Sequence, residues 1–173
     1  MYKASIRTLL RRSITKLNSG DYSMMLKMAD PDFELSFPGA NSWATMFRSA
    51  ERGRHRHVTH RGIQEATAFA DRFVAEGIQF QIEDILVNGP PWNTRIALRV
   101  HDFIPGDDAA DVYNNRAVLF LELRWGRLIR WEDYEDTERV AGWDRSRVSA
   151  SCWVYPPDRA TTRRTFGWAM RSA

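Results

Sequence analysis

Gly126-Arg127-Leu128-Ile129-Arg130-Trp131-Glu132-Asp133-Tyr134-Glu135-Asp136 is the stretch on which the reading of this chain turns. After its glycine it mixes charged and large apolar residues with no helical period, the pattern of a strand with two different faces. Alternation puts Ile129, Trp131, Asp133 and Glu135 on one face and Leu128, Arg130, Glu132 and Tyr134 on the other. Trp125-Gly126 is too short for anything but a tight connection, so the apolar run 113–125 before it pairs with this stretch as an antiparallel hairpin.

Working backwards, the run 94–103 is a further strand, joined to 113–125 through Pro105-Gly106-Asp107-Asp108. On it Arg95, Ala97, Arg99, His101 and Phe103 share one face, and Ile96, Leu98, Val100 and Asp102 share the other. The sequence alone does not say which of these faces meet. The run 79–87 is another strand, closed by Asn88-Gly89-Pro90-Pro91. Before it the period changes. Residues 62–76 carry Ile63, Ala66, Phe69, Ala70, Phe73 and Val74 on one side of a helix that Gly77 stops. Ile6, Leu9, Leu10, Ile14 and Leu17 mark an amphipathic first helix, and Asp21 caps a short second one containing Tyr22, Met25, Leu26 and Met28. Residues 33–37 form a short strand ended by Pro38-Gly39, whereas 38–61 show no period and are expected as a lid or irregular wall. Helices first and an antiparallel meander afterwards give an α+β domain over 1–143, followed by an aromatic and basic extension over 144–173.

Composition narrows the function classes. A net charge of +3 is too small for the whole chain to act as a polyanion binder. The basic residues of 48–61 and of the tail have tryptophans near them, but no nucleic-acid motif accompanies them, so nucleic acid is not expected as a partner. No apolar run approaches the roughly 20 residues of a membrane helix, and the N-terminus reads as an amphipathic helix rather than a signal peptide. Cys152 is the only cysteine, which excludes an intramolecular disulfide and fits a reducing, cytoplasmic compartment. His55, His57 and His60 invite a metal, but arginines surround them and no carboxylate or thiolate completes a ligand set, so no metal is expected.

The order of elements resembles the nuclear transport factor 2-like superfamily, in which a cone-shaped, curved, mostly antiparallel sheet packs against N-terminal helices and encloses a pocket. Residues 126–136 resemble the G-(K/R)-I-x-x-W-x-D-Y-x-D segment of the SnoaL-like polyketide cyclases and limonene-epoxide-hydrolase-like enzymes. Ala29-Asp30-Pro31-Asp32-Phe33 and His60-Arg61-Gly62 resemble that family's entries to its first strand and third helix. The resemblance implies an Asp-Arg-Asp triad in the epoxide hydrolases. Asp133 matches its last-strand Asp and Arg99 its Arg, while the second Asp, two residues after the Arg, falls on His101. The positions that hold the water in that family fall near Glu34 and Ser36, as does the base of the ketosteroid isomerases near Ser36.

The resemblance therefore implies a cofactor-independent acid/base enzyme on a small apolar molecule, catalysing epoxide hydration, aldol-type cyclisation or isomerisation. Asp133 would be the base, because a carboxylate in an apolar pocket gains basicity from desolvation. Arg99 would orient it, and His101, as an imidazole, could exchange a proton near neutral pH. Phe33, Phe103, Ile129 and Trp131 would line the pocket, with Glu34 and Ser36 at its polar edge. The alternative is a non-catalytic ligand-binding or dimerisation domain in which Asp133, Arg99 and His101 form a buried ion-pair network. A homodimer through the outer sheet face is expected under either.

Overall fold

The computed structural model describes residues 1–50, 57–107 and 110–151, with side chains to 147. His55, Cys152 and the aromatics Trp153, Tyr155, Phe166 and Trp168 lie outside the described residues.

Three helices and six strands precede a last helix: α1 (Tyr2–Asn18), α2 (Ser23–Met28), β1 (Ala29–Phe37), β2 (Val58–Arg61), α3 (Gly62–Ala75), β3 (Gln79–Asn88), β4 (Thr94–Pro105), β5 (Asp111–Arg124), β6 (Arg127–Glu135) and α4 (Thr137–Ser151). The strands form one curved, unclosed sheet in the order β2-β1-β6-β5-β4-β3. All neighbours are antiparallel except β1 and β6, which run parallel. The β5–β6 connection is the expected two-residue turn, with both Trp125 (φ 52°) and Gly126 (φ 80°) left-handed, as the twist of a tight hairpin demands.

The two longest strands of the meander, β4 and β5, bury alternate residues. On β4 these are Thr94, Ile96, Leu98, Val100 and Asp102; on β5 they are Tyr113, Asn115, Ala117, Leu119, Leu121 and Leu123. They face a core closed by Ile6, Leu10, Ile14 and Leu17 of α1 and by Ala66, Phe69, Ala70 and Phe73 of α3. The sheet face away from the helices carries the intervening residues, among them Arg95, Arg99, Arg116 and Glu122.

Three features depart from the sequence reading. Residues 58–61, within the segment without period, form edge strand β2, with Leu35 opposite His60 and Phe37 opposite Val58. The pairing of β6 with β5 slips between Glu122 and Leu123, so that Leu123 faces Leu128 and Glu122 faces Arg130. Ile129 is the extra residue of this bulge, and the parity of β6 changes across it: Leu128 and Trp131 are both buried. The expected boundary at 143 lies inside α4, whose Asp144 accepts from Ser42 N at 2.9 Å and Ser42 Oγ at 2.6 Å. Asp136 caps this helix through the backbone N–H groups of Glu138 and Arg139.

Candidate active site

The buried faces of β4, β5 and β6 end in polar residues on the same side of the core. Register sets Asp102 opposite Asn115, Ala117 opposite Glu135 and Leu119 opposite Asp133. Asp102, Tyr113, Asp133 and Glu135 thereby line one pocket, whose remaining wall is Phe37, Trp43, Phe69, Phe73, Ile78 and Phe80. The space open to the centre of a water molecule is about 30 Å³. One water needs about 10–15 Å³ by this measure, so the pocket, which is partly open to solvent, has room for a few atoms. Counting all the space between atoms there, the opening to solvent included, the empty volume is about 330 Å³.

A chain of donors fixes the polar end. Asn115 Nδ2 donates to the backbone carbonyl of Asp136 at 3.2 Å and to the Tyr113 hydroxyl at 3.1 Å. Tyr113 in turn donates to Asp102 Oδ2 at 3.3 Å. On the other side Asn41 Nδ2 donates to Glu135 Oε1 at 3.0 Å. The Asn41 side-chain oxygen accepts from the backbone N–H groups of Trp43 and Ala44 at 3.1 and 2.9 Å, so one side chain both shapes the loop after β1 and holds Glu135. Trp43, the wall contributed by that loop, lies under the Arg72 guanidinium, 3.9 Å from its ring centre. Arg72 also donates to the Ser42 carbonyl and hydroxyl and to Glu76.

Among the described residues, no cationic side chain lines the pocket. Burial is accordingly the main influence on its acids. It pushes the Asp102 carboxyl up to about 6 and Glu135 up to about 7, with the charge of Asp102 adding to the effect on Glu135. Asp133 is raised well above the ordinary carboxylate value, first by burial and then by the charges of Glu135 and Asp102. Tyr113 is also raised, by burial and by Asp102, so its hydroxyl keeps its proton. Asp102 and Asp133 are each 6% exposed, and the Oδ1 of each is buried without a hydrogen-bond partner among the described residues. A buried oxygen in that state costs free energy until something binds it.

Of the residues expected at the site, Asp133 is in the pocket and most of the others are not. Arg99 lies on the outer face and is exposed, its Nε 3.0 Å from Glu83. His101 is also outward and stacks on Phe103, with ring centres 5.3 Å apart and planes within 21°. The expected trio is therefore not assembled, because Arg99 and His101 have the opposite strand parity to Asp102. Glu34 binds Arg130 at 3.3 Å and Arg61 at 3.8 Å, and the Ser36 hydroxyl meets Thr59 at 2.9 Å. Both lie across β1 from Phe33, Leu35 and Phe37. Phe33 is core rather than pocket wall, and Ile129 is set out of the core by the bulge. Trp131 is buried and lines a second, apolar cavity with Leu10, Ile14, Met25, Leu98 and Leu119, also about 30 Å³, where its indole N–H has no partner among the described residues.

His60 is a packed core residue. Its Nε2 meets the Trp43 carbonyl at 2.9 Å, and the rings of Phe37 and Phe47 lie about it at 5.3 and 5.0 Å. Burial lowers its pKa, so the ring is neutral. No cluster of histidine, cysteine and carboxylate side chains among the described residues is arranged to hold a metal. No helix among them is long and apolar enough to cross a membrane.

Residues 10–131 match the sequence profile of the SnoaL-like domain, more than half of the chain. The chain belongs to the SnoaL-like domain family. No curated protein matches it. Solved structures similar to this SnoaL-like domain include an NTF2-like protein of unknown function from Burkholderia pseudomallei, with a TM-score of 0.60 at 17% identity over 80% of this chain and 95% of that one. TerC, co-crystallised with polyporic acid, gives 0.58 at 15% identity over 78% and 94%. A putative ketosteroid isomerase from Kribbella flavida gives 0.53 at 18% over 75% and 76%. These likenesses establish the NTF2-like fold. The profile match ends two residues before Asp133, so Asp102 and Tyr113 lie inside it and Asp133 and Glu135 beyond it.

The polar residues that build the site are visible in the sequence to different degrees. Asp102 shares a strand face with Ile96, Leu98 and Val100, and a lone carboxylate ending an aliphatic row is the signal for it. Asn41, in a segment without period, leaves none.

Proposed function

We propose that this SnoaL-like domain is a cofactor-independent acid/base catalyst of proton transfer at carbon, as in an isomerisation or aldol-type cyclisation of a small, largely apolar molecule. The observation that carries the reading is a set of three acids with raised pKa values, Asp102 and Asp133 buried and Glu135 half-buried, against an aromatic wall. A base that titrates near the working pH transfers protons best. Glu135, pushed up to about 7 and open toward the cleft, suits that task. Burial also raises the Asp133 carboxyl well above the ordinary carboxylate value, which suits it in this reading to donate a hydrogen bond or a proton to the substrate, the reverse of the base role expected for it. Arg99 and His101 have no part in this reading. With them goes epoxide hydration by an Asp-Arg-Asp triad, since the residue two before Asp102 is Val100, fully buried and apolar.

The test needs no prior substrate. Small enolisable ketones are incubated with the protein in D2O, and deuterium uptake at carbon is followed by NMR. The wild type is expected to accelerate uptake for at least one compound, and Glu135→Gln to lose about 10²–10⁴-fold of it. Uptake unchanged in Glu135→Gln rejects the base. The narrowness of the pocket supports a second reading, a non-catalytic binding domain, which predicts bound ketone without exchange. Under both readings the chain is cytoplasmic and pairs with itself through the outer sheet face, where Val118 and Tyr134 are exposed. Sedimentation that finds only monomer removes the pairing.

A further inference from the structure

The pocket holds more acid than proton transfer requires. Asp133 and Glu135 form the acid/base pair of the proposed reaction, and Asp102 is left over. Its Oδ2 accepts from Tyr113, while its Oδ1 is buried with no partner among the described residues. Among those residues no arginine, lysine or histidine lines the pocket to balance it, and the inward position two residues before it is Val100. The nearest base on its own strand, His101, faces the other side of the sheet against Phe103. The other walls are the faces and edges of Trp43, Phe73, Phe80 and Tyr113. Carboxylate oxygens attract cations strongly where water is excluded, and aromatic rings add to that attraction. An anionic head group would meet three acids and find no positive group among the described pocket residues.

We propose that Asp102 is the anchor for a protonated amine, so that the ligand of this pocket is a small organic cation with a short apolar body. The ammonium group donates to Asp102 Oδ1 in the pocket, and the body lies in the cleft against the aromatic wall. A metal ion is not the occupant implied, because the acids are not arranged as a ligand set. The inference rests on the reading that this pocket is the ligand site, and adds the charge of what it takes.

Benzylammonium and benzyl alcohol, two probes of one shape and different charge, separate the possibilities. Each is titrated into the full chain above pH 7 while the resonances of the Trp43 indole and of the Tyr113 ring are followed by NMR. The wild type is expected to bind benzylammonium about tenfold more tightly than benzyl alcohol. Asp102→Asn, which keeps the shape and can still accept from Tyr113, is expected to bring the two within about twofold of each other. Equal binding of the two probes by the wild type, or a preference that survives Asp102→Asn, overturns the proposal while leaving the pocket as the ligand site. Failure of both probes to move either resonance overturns both. If Asp102→Asn does not fold, the wild type with phenylacetate decides. This anion must bind more weakly than benzyl alcohol; equal or tighter binding overturns the proposal.

Discussion

The two faces of the sheet carry acids in opposite circumstances. Outside, glutamates have guanidinium groups within reach. Glu83 pairs with Arg99 and Arg116, Glu122 with Arg95 and Arg130, and Glu34 with Arg130 and Arg61. Inside, Asp102, Asp133 and Glu135 share a pocket with no counter-charge among the described residues. Water screens the outer ions, and their pairing contributes little. The inner acids lose their hydration and retain protons instead. Strand parity alone decides which regime a residue enters. Arg99 and Val100 are neighbours in sequence, yet one is exposed and the other entirely buried.

The sharpest way to break this contrast is to change one acid on each face. Replacing Glu135 by Gln is expected to remove nearly all proton transfer at carbon, whereas Glu83→Gln should leave the rate within about twofold. A comparable loss from both would mean that the catalytic group is not in the pocket.

The next effect is on stability, and its sign follows from the raised pKa values. An acid whose folded pKa lies above its unfolded one holds its proton in the native state after the unfolded chain has released it. Its contribution is complete below the unfolded value and is lost as pH rises through the folded value. For Asp102 that window runs from 3.8 to about 6, and for Glu135 from 4.5 to about 7. A tenfold change in proton affinity on folding corresponds to about 1.4 kcal/mol. Wild-type stability relative to Glu135→Gln should therefore fall by on the order of 2 kcal/mol between pH 5 and pH 8. Urea midpoints at the two pH values measure this. A flat difference would mean that Glu135 is not held in a dry site.

Strand parity also explains how much of the molecule is legible in its sequence. Each strand of the meander announces itself by alternation, and so does the partition of β4 into two sets. What alternation leaves open is which set turns inward. The family resemblance selects the set with Arg99 and His101, one residue out of step with the buried set ending at Asp102, and a one-residue step turns every side chain over. Asp133 is legible because it shares its parity with Trp131. Ile129 is misplaced because a bulge, a product of pairing with β5, breaks that parity. β2 and Asn41 are invisible for a different reason. The four residues of β2 form a strand only through β1, and the Asn41 side chain acquires its role only when Glu135 arrives from 94 residues away.

Asn41 gives the third test, at the boundary between the two regimes. Its amide is the only side-chain donor to Glu135 among the described residues, and it lowers the pKa that burial raises. Asn41→Ala should cost roughly 1–3 kcal/mol, since Trp43 N and Ala44 N also lose their acceptor. It should also move the basic form of Glu135 to higher pH, shifting the pH profile of deuterium exchange upward. A loss of stability with no shift in the profile would reduce Asn41 to a loop residue.

The smallest effect is expected where the charges are most numerous. Glu122 reaches Arg95 and Arg130, but these arginines keep 43% and 40% of their side-chain surface in water. An exposed pair is worth about 0–1 kcal/mol, and salt screens it. Glu122→Gln should therefore change the unfolding free energy by less than about 1 kcal/mol, and molar salt should erase the difference. Urea titrations with and without salt measure both. If removing one outer glutamate cost as much as the pH-dependent loss at Glu135, the outer face would be as dry as the pocket. That would be the expected result if a second copy of the chain covered the outer face, and the cost should then disappear on dilution to monomer.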